Sequence, residues 1–233
     1  MRFPSLIRAR FLQRDNRFRV TTELDGEQVW AHLANPGRAR ELLRPGASLF
    51  LVERPEGHRK TRYDVALVEA QGQLISADAR LPNALFAEAL ALGNLGAFAG
   101  FAVMQREVRR GDSRLDFVVQ REGDILSRCW VEVKSVTLVE KGVGLFPDAP
   151  TLRGRRHLLE LADLAQHGER AAVVFVIQRP DVRSLRPNDV TDPAFGDTLR
   201  LAARSGVDIY AHRCLVDLEG ICIDGEVPVD LSG

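Results

Sequence analysis

The sequence predicts a mixed α/β protein in which a small N-terminal β-barrel precedes a larger α/β unit. Three observations carry that prediction. Five short apolar or alternating segments fall within residues 1–80, separated by turn-forming residues. At Leu81 the spacing of apolar residues changes from the strand period to the helix period. Ala171 to Ile177 is unbroken apolar, as expected of a central strand covered on both faces.

The five segments are Phe18 to Leu24, Val29 to Leu33, Ser48 to Glu53, Thr61 to Glu69 and Gln73 to Ala79. Asp25-Gly26, Asn35-Pro36-Gly37, Pro45-Gly46, Glu56-Gly57 and Gln71-Gly72 supply the turns. This pattern suits an OB-like barrel over residues 1–80. Barrels of that kind often bind single strands through arginines and aromatics. Arg17, Arg19, Trp30, His32, Arg38 and Arg40 are the candidates. Taken one at a time, an ordinary surface arginine or core tryptophan accounts for each of them better.

Residues 81–233 form the second predicted domain. A helix is expected from Ala84 to Leu95, with Leu85, Phe86, Ala89, Leu90 and Leu92 as its apolar residues. Glu88 falls on that stripe, where a carboxylate is costly without a partner. It either reaches the acidic site described next or lies at the stripe's edge in water. Residues 101–110, 114–120 and 129–136 read as three strands. A helix then runs from Leu152 to His167 and ends at Gly168. Its first turns carry Arg153, Arg155, Arg156 and His157. Cations there oppose the helix dipole, so either an anion is expected or the turn is simply solvated. His157 by itself reads as a hydrogen-bonded structural histidine. Asp192-Pro193 opens a helix to Arg204, and Val207 to His212 is a further strand. Glu219-Gly220 and Asp224-Gly225 predict small turns between short edge strands. The order from Ala84 is therefore α-β-β-β-α-β-α-β.

The chemistry concentrates on two of these strands. Leu115, Phe117 and Val119 share one face of the first and Asp116 the other. In the second, Glu132 and Lys134 point the same way. Paired as a hairpin, the strands bring Asp116 beside Glu132, giving two carboxylates and an ammonium on one surface. Hard cations such as Mg²⁺ take one or two carboxylates, completed by waters and phosphate oxygens. The stretch resembles the core of the PD-(D/E)xK nuclease superfamily, whose αβββαβ arrangement the predicted order matches. A same-side ion pair on a solvated strand is the competing account of Glu132 and Lys134. Against it, only three of the 32 Lys+Arg residues are lysines, namely Lys60, Lys134 and Lys141. A lysine at the third motif position is then less easily an idle choice.

Composition narrows the class. The 233 residues are 45% hydrophobic and 27% charged, as in ordinary globular proteins. No apolar run approaches a membrane span, and Met1-Arg2-Phe3-Pro4 does not open a signal peptide. Cys129, Cys214 and Cys222 lack metal-ligand spacing; Cys214 and Cys222 could face each other across a hairpin, but buried reduced thiols and a cytoplasmic location are the simpler expectation. The net charge of zero divides into +4 for residues 1–80 and −4 for the rest. A mildly basic first part suits a polyanion partner. No cofactor loop or nucleophile triad supports a small-molecule enzyme.

A narrower resemblance follows from HLANPGR at 32–38, LLRPG at 42–46, RLPNAL at 80–85, SRLDF at 113–117, VEVKSVTL at 131–138, FPDAPTLRGRRHL at 146–158 and IQR at 177–179. On these stretches the chain resembles the sugar fermentation stimulation protein (SfsA) family over nearly its whole length. Ser135 stands where Asn is expected after Glu-x-Lys. The resemblance implies an OB-like domain, a PD-(D/E)xK domain and DNA binding without strong sequence specificity. From the fold follows a site in which Asp116 and Glu132 hold Mg²⁺ or Mn²⁺. Lys134 would place water or phosphate, with Glu88 as an outer acidic group. Arg17, Arg19, Arg38, Arg40, Arg153 and Arg156 would meet the DNA. No membrane and no small-molecule cofactor enter. The alternative is a regulator of sugar metabolism that binds DNA and keeps the fold without cleaving.

Overall fold

The computed structural model describes residues 1–55, 61–111 and 113–232. The predicted Glu56-Gly57 turn and Lys60 lie outside the described residues. The first unit contains β1 (Leu6–Asn16), β2 (Arg19–Leu24), β3 (Glu27–His32), β4 (Ser48–Glu53), β5 (Tyr63–Ala70) and β6 (Gln73–Ser76). They hydrogen-bond in the order β3-β2-β1-β4-β5-β6, and β3 also pairs with β5. That extra pairing, Ala31 with Tyr63 and His32 with Asp64, closes the first five strands into an OB barrel. The expected five strands omitted β1 and counted β6, which lies outside the ring. In β1 the inward residues Ala9 and Phe11 are buried while Arg8, Arg10 and Gln13 face water. The barrel core gathers Phe11, Val20, Leu33, Leu49, Leu51, Val65 and Ile75.

The second unit starts with α1 (Leu81–Ala91), earlier than the expected Ala84. Pro82 sits in its first turn, where the missing N–H costs nothing. Gly93, at φ +73°, ends it short of Leu95. There follow β7 (Phe101–Arg110), β8 (Ser113–Arg121), β9 (Asp124–Val136), β10 (Val139–Glu140) and β11 (Val143–Phe146). After α2 (Leu152–Gln166) come β12 (Arg170–Ile177), β13 (Ser184–Pro187), α3 (Pro193–Arg204), β14 (Asp208–Val216) and β15 (Ile221–Val227).

Six strands form one mixed sheet in the order β15-β14-β12-β9-β8-β7. β7, β8 and β9 are an antiparallel meander, and β12 runs parallel to both β9 and β14. A small second sheet, β10-β11-β13, was not anticipated because each strand spans at most four residues. Leu85 and Phe86 of α1 pack on Phe117, Val131 and Val174 on one face of the main sheet. Leu158 and Leu161 of α2, with Leu199 of α3, cover Val118, Trp130 and Phe175 on the other.

Residues at the chain start pack with the second unit rather than the barrel: Phe3 N–H donates to Glu219 O, and Ile221 N–H to Met1 O. Asp224-Gly225 is not a turn but lies inside β15, beside a register shift opposite Arg213 and Cys214. Cys129 and Cys214 are buried as expected, but Cys222 is exposed, paired in the ladder with Leu215 rather than Cys214, and all three are free thiols. Among the described residues no helix is long and apolar enough to cross a membrane.

Candidate active site

β8 and β9 pair in a register that includes Phe117↔Val131 and Val118↔Trp130. Continued by one residue, it sets Asp116 against Glu132. The backbone ladder stops at Phe117, and the Asp116 carboxylate takes over: its Oδ2 accepts the Val133 N–H at 2.8 Å. A backbone donor that would otherwise lose its partner is thereby satisfied. Asn83, near the start of α1, donates its Nδ2 to Asp116 Oδ1 at 2.8 Å. Two elements thus fix both oxygens of this carboxylate.

Glu132 is held from the opposite side. Lys134 Nζ donates to its Oε1 at 2.7 Å, and His157 Nδ1 of α2 contacts the same oxygen. With a carboxylate as acceptor, Nδ1 carries the proton. Glu132 Oε2 is buried and has no hydrogen-bond partner. Burial pushes the Glu132 carboxyl upward, but Lys134 and His157 outweigh it and hold the group below the usual carboxylate range. Asp116 goes the other way. Burial first and the Glu132 charge second raise it, against the Val133 N–H, Asn83 and Lys134. Asp116 is therefore the member of the pair with more to gain from a cation.

The two carboxylates open onto a cleft of about 500 Å³ between the barrel and the second unit. Asn35, Pro36 and Gly37 of the barrel form one wall, and Phe146 to Thr151 with Arg153 form another. Arg14 shapes the first wall by donating to the carbonyls of Asn35, Gly37, Arg38 and Arg17. The walls meet where the Arg38 N–H donates to Asp148 Oδ2 at 2.9 Å. Gly37 permits that approach, since a Cβ there would overlap Asp148 Oδ2.

An SfsA N-terminal OB domain matches residues 12–77, and a Sugar fermentation stimulation protein RE domain matches residues 80–220. The chain belongs to the SfsA family. A sugar fermentation stimulation protein homolog of Moorella thermoacetica is 53% identical over 97% of each chain. One from Chloroflexus aurantiacus is 48% identical over 97% of this chain and 86% of its own length. Pyrococcus furiosus SfsA, solved in complex with Ca²⁺, is 32% identical and superposes with a TM-score of 0.91, covering 99% of this chain and 98% of that one.

Within this SfsA fold, Asp116, Glu132 and Lys134 share the face covered by α2. The donor set suits a hard divalent cation, because Glu132 Oε2 is an unused buried acceptor beside a second carboxylate. The described residues offer no group of three His, Cys, Asp or Glu side chains that could hold a metal alone. Waters and substrate oxygens would complete any coordination here.

Glu88 is not part of this site. Its carboxylate pairs with the Met1 ammonium at 2.8 Å, and α1 contributes Asn83 to Asp116 instead. Arg17 and Arg153 line the cleft. Arg38 and Arg40 are exposed just beyond its barrel wall, and Arg156 is exposed on α2. Arg19 lies apart, over the Trp30 ring at 4.4 Å. Lys141 sits in the β10–β11 turn. Sequence reasoning did not assign Asn83, Asp148 or the His157–Glu132 contact, although RLPNAL and FPDAPTLRGRRHL contain all three outlying residues.

Proposed function

We propose that this chain is a DNA-binding protein that hydrolyses phosphodiester bonds in the cleft between its two units. The observation that carries the reading is the convergence of Asp116, Glu132 and Lys134 on a cleft edged by Arg17 and Arg153. Asp116 and Glu132 are the residues that would hold Mg²⁺ or Mn²⁺. Bound there, the cation would make a coordinated water more acidic and neutralise charge growing on the phosphate. Asn83 and Val133 keep Asp116 in place, while His157 turns Glu132 so that Oε2 remains available. Lys134 spends one N–H on Glu132 and keeps two for the attacking water or a phosphate oxygen. Water attacks phosphorus, a P–O bond breaks, and the leaving oxygen takes up a proton.

Arg17 and Arg153 neutralise phosphates at the cleft, Arg38, Arg40 and Arg156 extend the basic surface beyond it, and Arg19 adds a cation farther off on the barrel. Contacts to the DNA backbone carry no sequence information, so binding is largely indifferent to sequence. The reading places the protein in the cytoplasm. A regulator of sugar metabolism that only binds DNA would need the arginines but not a buried, unpartnered Glu132 oxygen. Incubation of single- and double-stranded labelled DNA with Mn²⁺, resolved on a denaturing gel, separates the two. Cutting by the native protein and not by Asp116→Asn supports hydrolysis, and no cutting of either substrate leaves the regulator.

A further inference from the structure

We propose that Arg80 sets the DNA strand in register with the acidic pair by holding a phosphate that flanks the scissile bond. Arg80 is the first residue of RLPNAL, sits at the N-cap of α1 and lines the cleft beside Asn83 and Asp116. Arg17 and Arg153 line the same cleft, but among the described residues only Arg80 of the three is gripped by carboxylates. Its Nε donates to Asp78 Oδ1 at 2.8 Å. Its Nη2 donates to Asp78 Oδ2 at 2.6 Å and to Asp64 Oδ2 at 3.4 Å. Both carboxylates are buried, Asp64 on β5 of the barrel and Asp78 between β6 and α1. The Arg80 side chain is nevertheless 54% exposed. A guanidinium carries its donors around a rigid plane. One edge of Arg80 is clamped, and Nη1, which has no partner among the described residues, keeps both of its N–H groups for a ligand.

Neutralising the two carboxylates does not account for this arrangement. Asp64 already accepts from Arg54 Nε at 3.0 Å, closer than Arg80 comes to it. An ion pair whose cation is half exposed adds little stability, whereas burying a carboxylate is costly. What the two carboxylates do fix is direction. Arginine suits the task, because its planar fork takes two bonds from one carboxylate and still matches a phosphate. Residues three apart on a helix lie about 5–6 Å from each other, which makes Arg80 a neighbour of Asn83. Asn83 in turn donates to Asp116 Oδ1. The phosphate that Arg80 holds is therefore next to the one that reacts over Asp116 and Glu132. Since Asp64 belongs to the barrel, the barrel aims a cation of the second unit. Arg17 and Arg153 add affinity, and Arg80 decides which bond lies over the acidic pair. That choice of bond rests on the hydrolytic reading above, whereas the phosphate contact does not.

The test uses the full-length protein and whichever form of labelled DNA, single- or double-stranded, binds more tightly. Without metal, Arg80→Ala should lower the slope of log K against log salt by about one, and Arg80→Lys, which keeps the charge, should not. With Mn²⁺ and saturating DNA, both variants should cut at least tenfold more slowly, since misplacement by about 1 Å can cost roughly a hundredfold. Asp78→Asn discriminates further. It leaves Arg80 in place and removes a negative charge, so affinity should hold or rise while the saturated rate falls by a similar factor. Neither Arg80→Lys nor Asp78→Asn strands a buried charge, so both should fold, and melting curves check that they do. A strand with one uncharged methylphosphonate linkage reads the contact directly: native protein should skip the bond beside it, and Arg80→Ala should not discriminate. An unchanged salt slope in Arg80→Ala, or a native saturated rate in Asp78→Asn, would overturn the proposal. Equal cutting beside the neutral linkage by native protein would do the same. If the slope falls by one and native protein cuts nothing, the phosphate contact stands while the hydrolytic reading, and the choice of bond with it, falls.

Discussion

His157, on α2, contacts Oε1 of Glu132 and leaves Oε2 of that carboxylate without a partner. The contact is buried on both sides, and together with Lys134 on the same oxygen it fixes how the Glu132 carboxylate is turned. His157→Ala frees the carboxylate to rotate, and misplacement by about 1 Å can cost roughly a hundredfold in rate. We expect cleavage to fall by one to two orders of magnitude with DNA affinity unchanged. Gel nicking and mobility-shift assays on the same variant check this.

Metal binding should depend on Asp116. Burial and the neighbouring Glu132 both disfavour its charge, so a divalent cation should bind the folded state and raise Tm. Asp116→Asn should lose most of that rise. Its Tm without metal should stay close to the native value, since an amide still accepts one of the two hydrogen bonds. Differential scanning calorimetry with and without Mn²⁺ measures both quantities. An equal rise in native protein and variant would place the metal elsewhere.

The DNA interface should be electrostatic. Each neutralised phosphate releases counterions, so affinity should fall steeply with salt. Arg17→Ala and Arg153→Ala should each reduce the slope of log K against log salt by about one. Glu132→Ala should bind as well as the native protein or better, because it removes a negative charge from the cleft. A titration series between low and physiological salt resolves these slopes.

Gly37 tests whether the cleft needs both units. A Cβ there would overlap Asp148 Oδ2 and lie 2.9 Å from Asn35 Oδ1, so Gly37→Ala must push the barrel loop away. The Arg38–Asp148 hydrogen bond would be lost, at a cost of about 1–3 kcal/mol with the accompanying strain. Cleavage should fall although no residue of the acidic site has changed. Thermal melting and the nicking assay together distinguish this from simple unfolding.

Much of this arrangement was legible from local pattern. Period-two alternation places Glu132 and Lys134 on one face, and hairpin geometry brings Asp116 beside them. What escaped depends on contacts between distant segments. Glu88 lies on the apolar stripe of its helix, but its partner is the Met1 ammonium, 87 positions away, which no spacing rule reveals. Asn83 and His157 reach the acidic pair from two different helices on the strength of tertiary packing alone. β1 was overlooked because Arg8, Arg10 and Arg14 interrupt it, although Ala9 and Phe11 keep the inward alternation of a barrel strand. Its arginines face outward or, like Arg14, bond to loop carbonyls.

The most direct measurement of the central claim is Mn²⁺-dependent nicking of labelled DNA by Lys134→Arg. The substitution keeps the positive charge, so a site that only attracts phosphate would tolerate it. Guanidinium is planar and larger than the ammonium it replaces. Lys134 is buried against Glu132, so the fork would displace the water or the phosphate that the ammonium is read as placing. The account predicts that Lys134→Arg keeps its Tm and its mobility-shift affinity and loses metal-dependent cleavage. Cleavage by the variant at the native rate would contradict it.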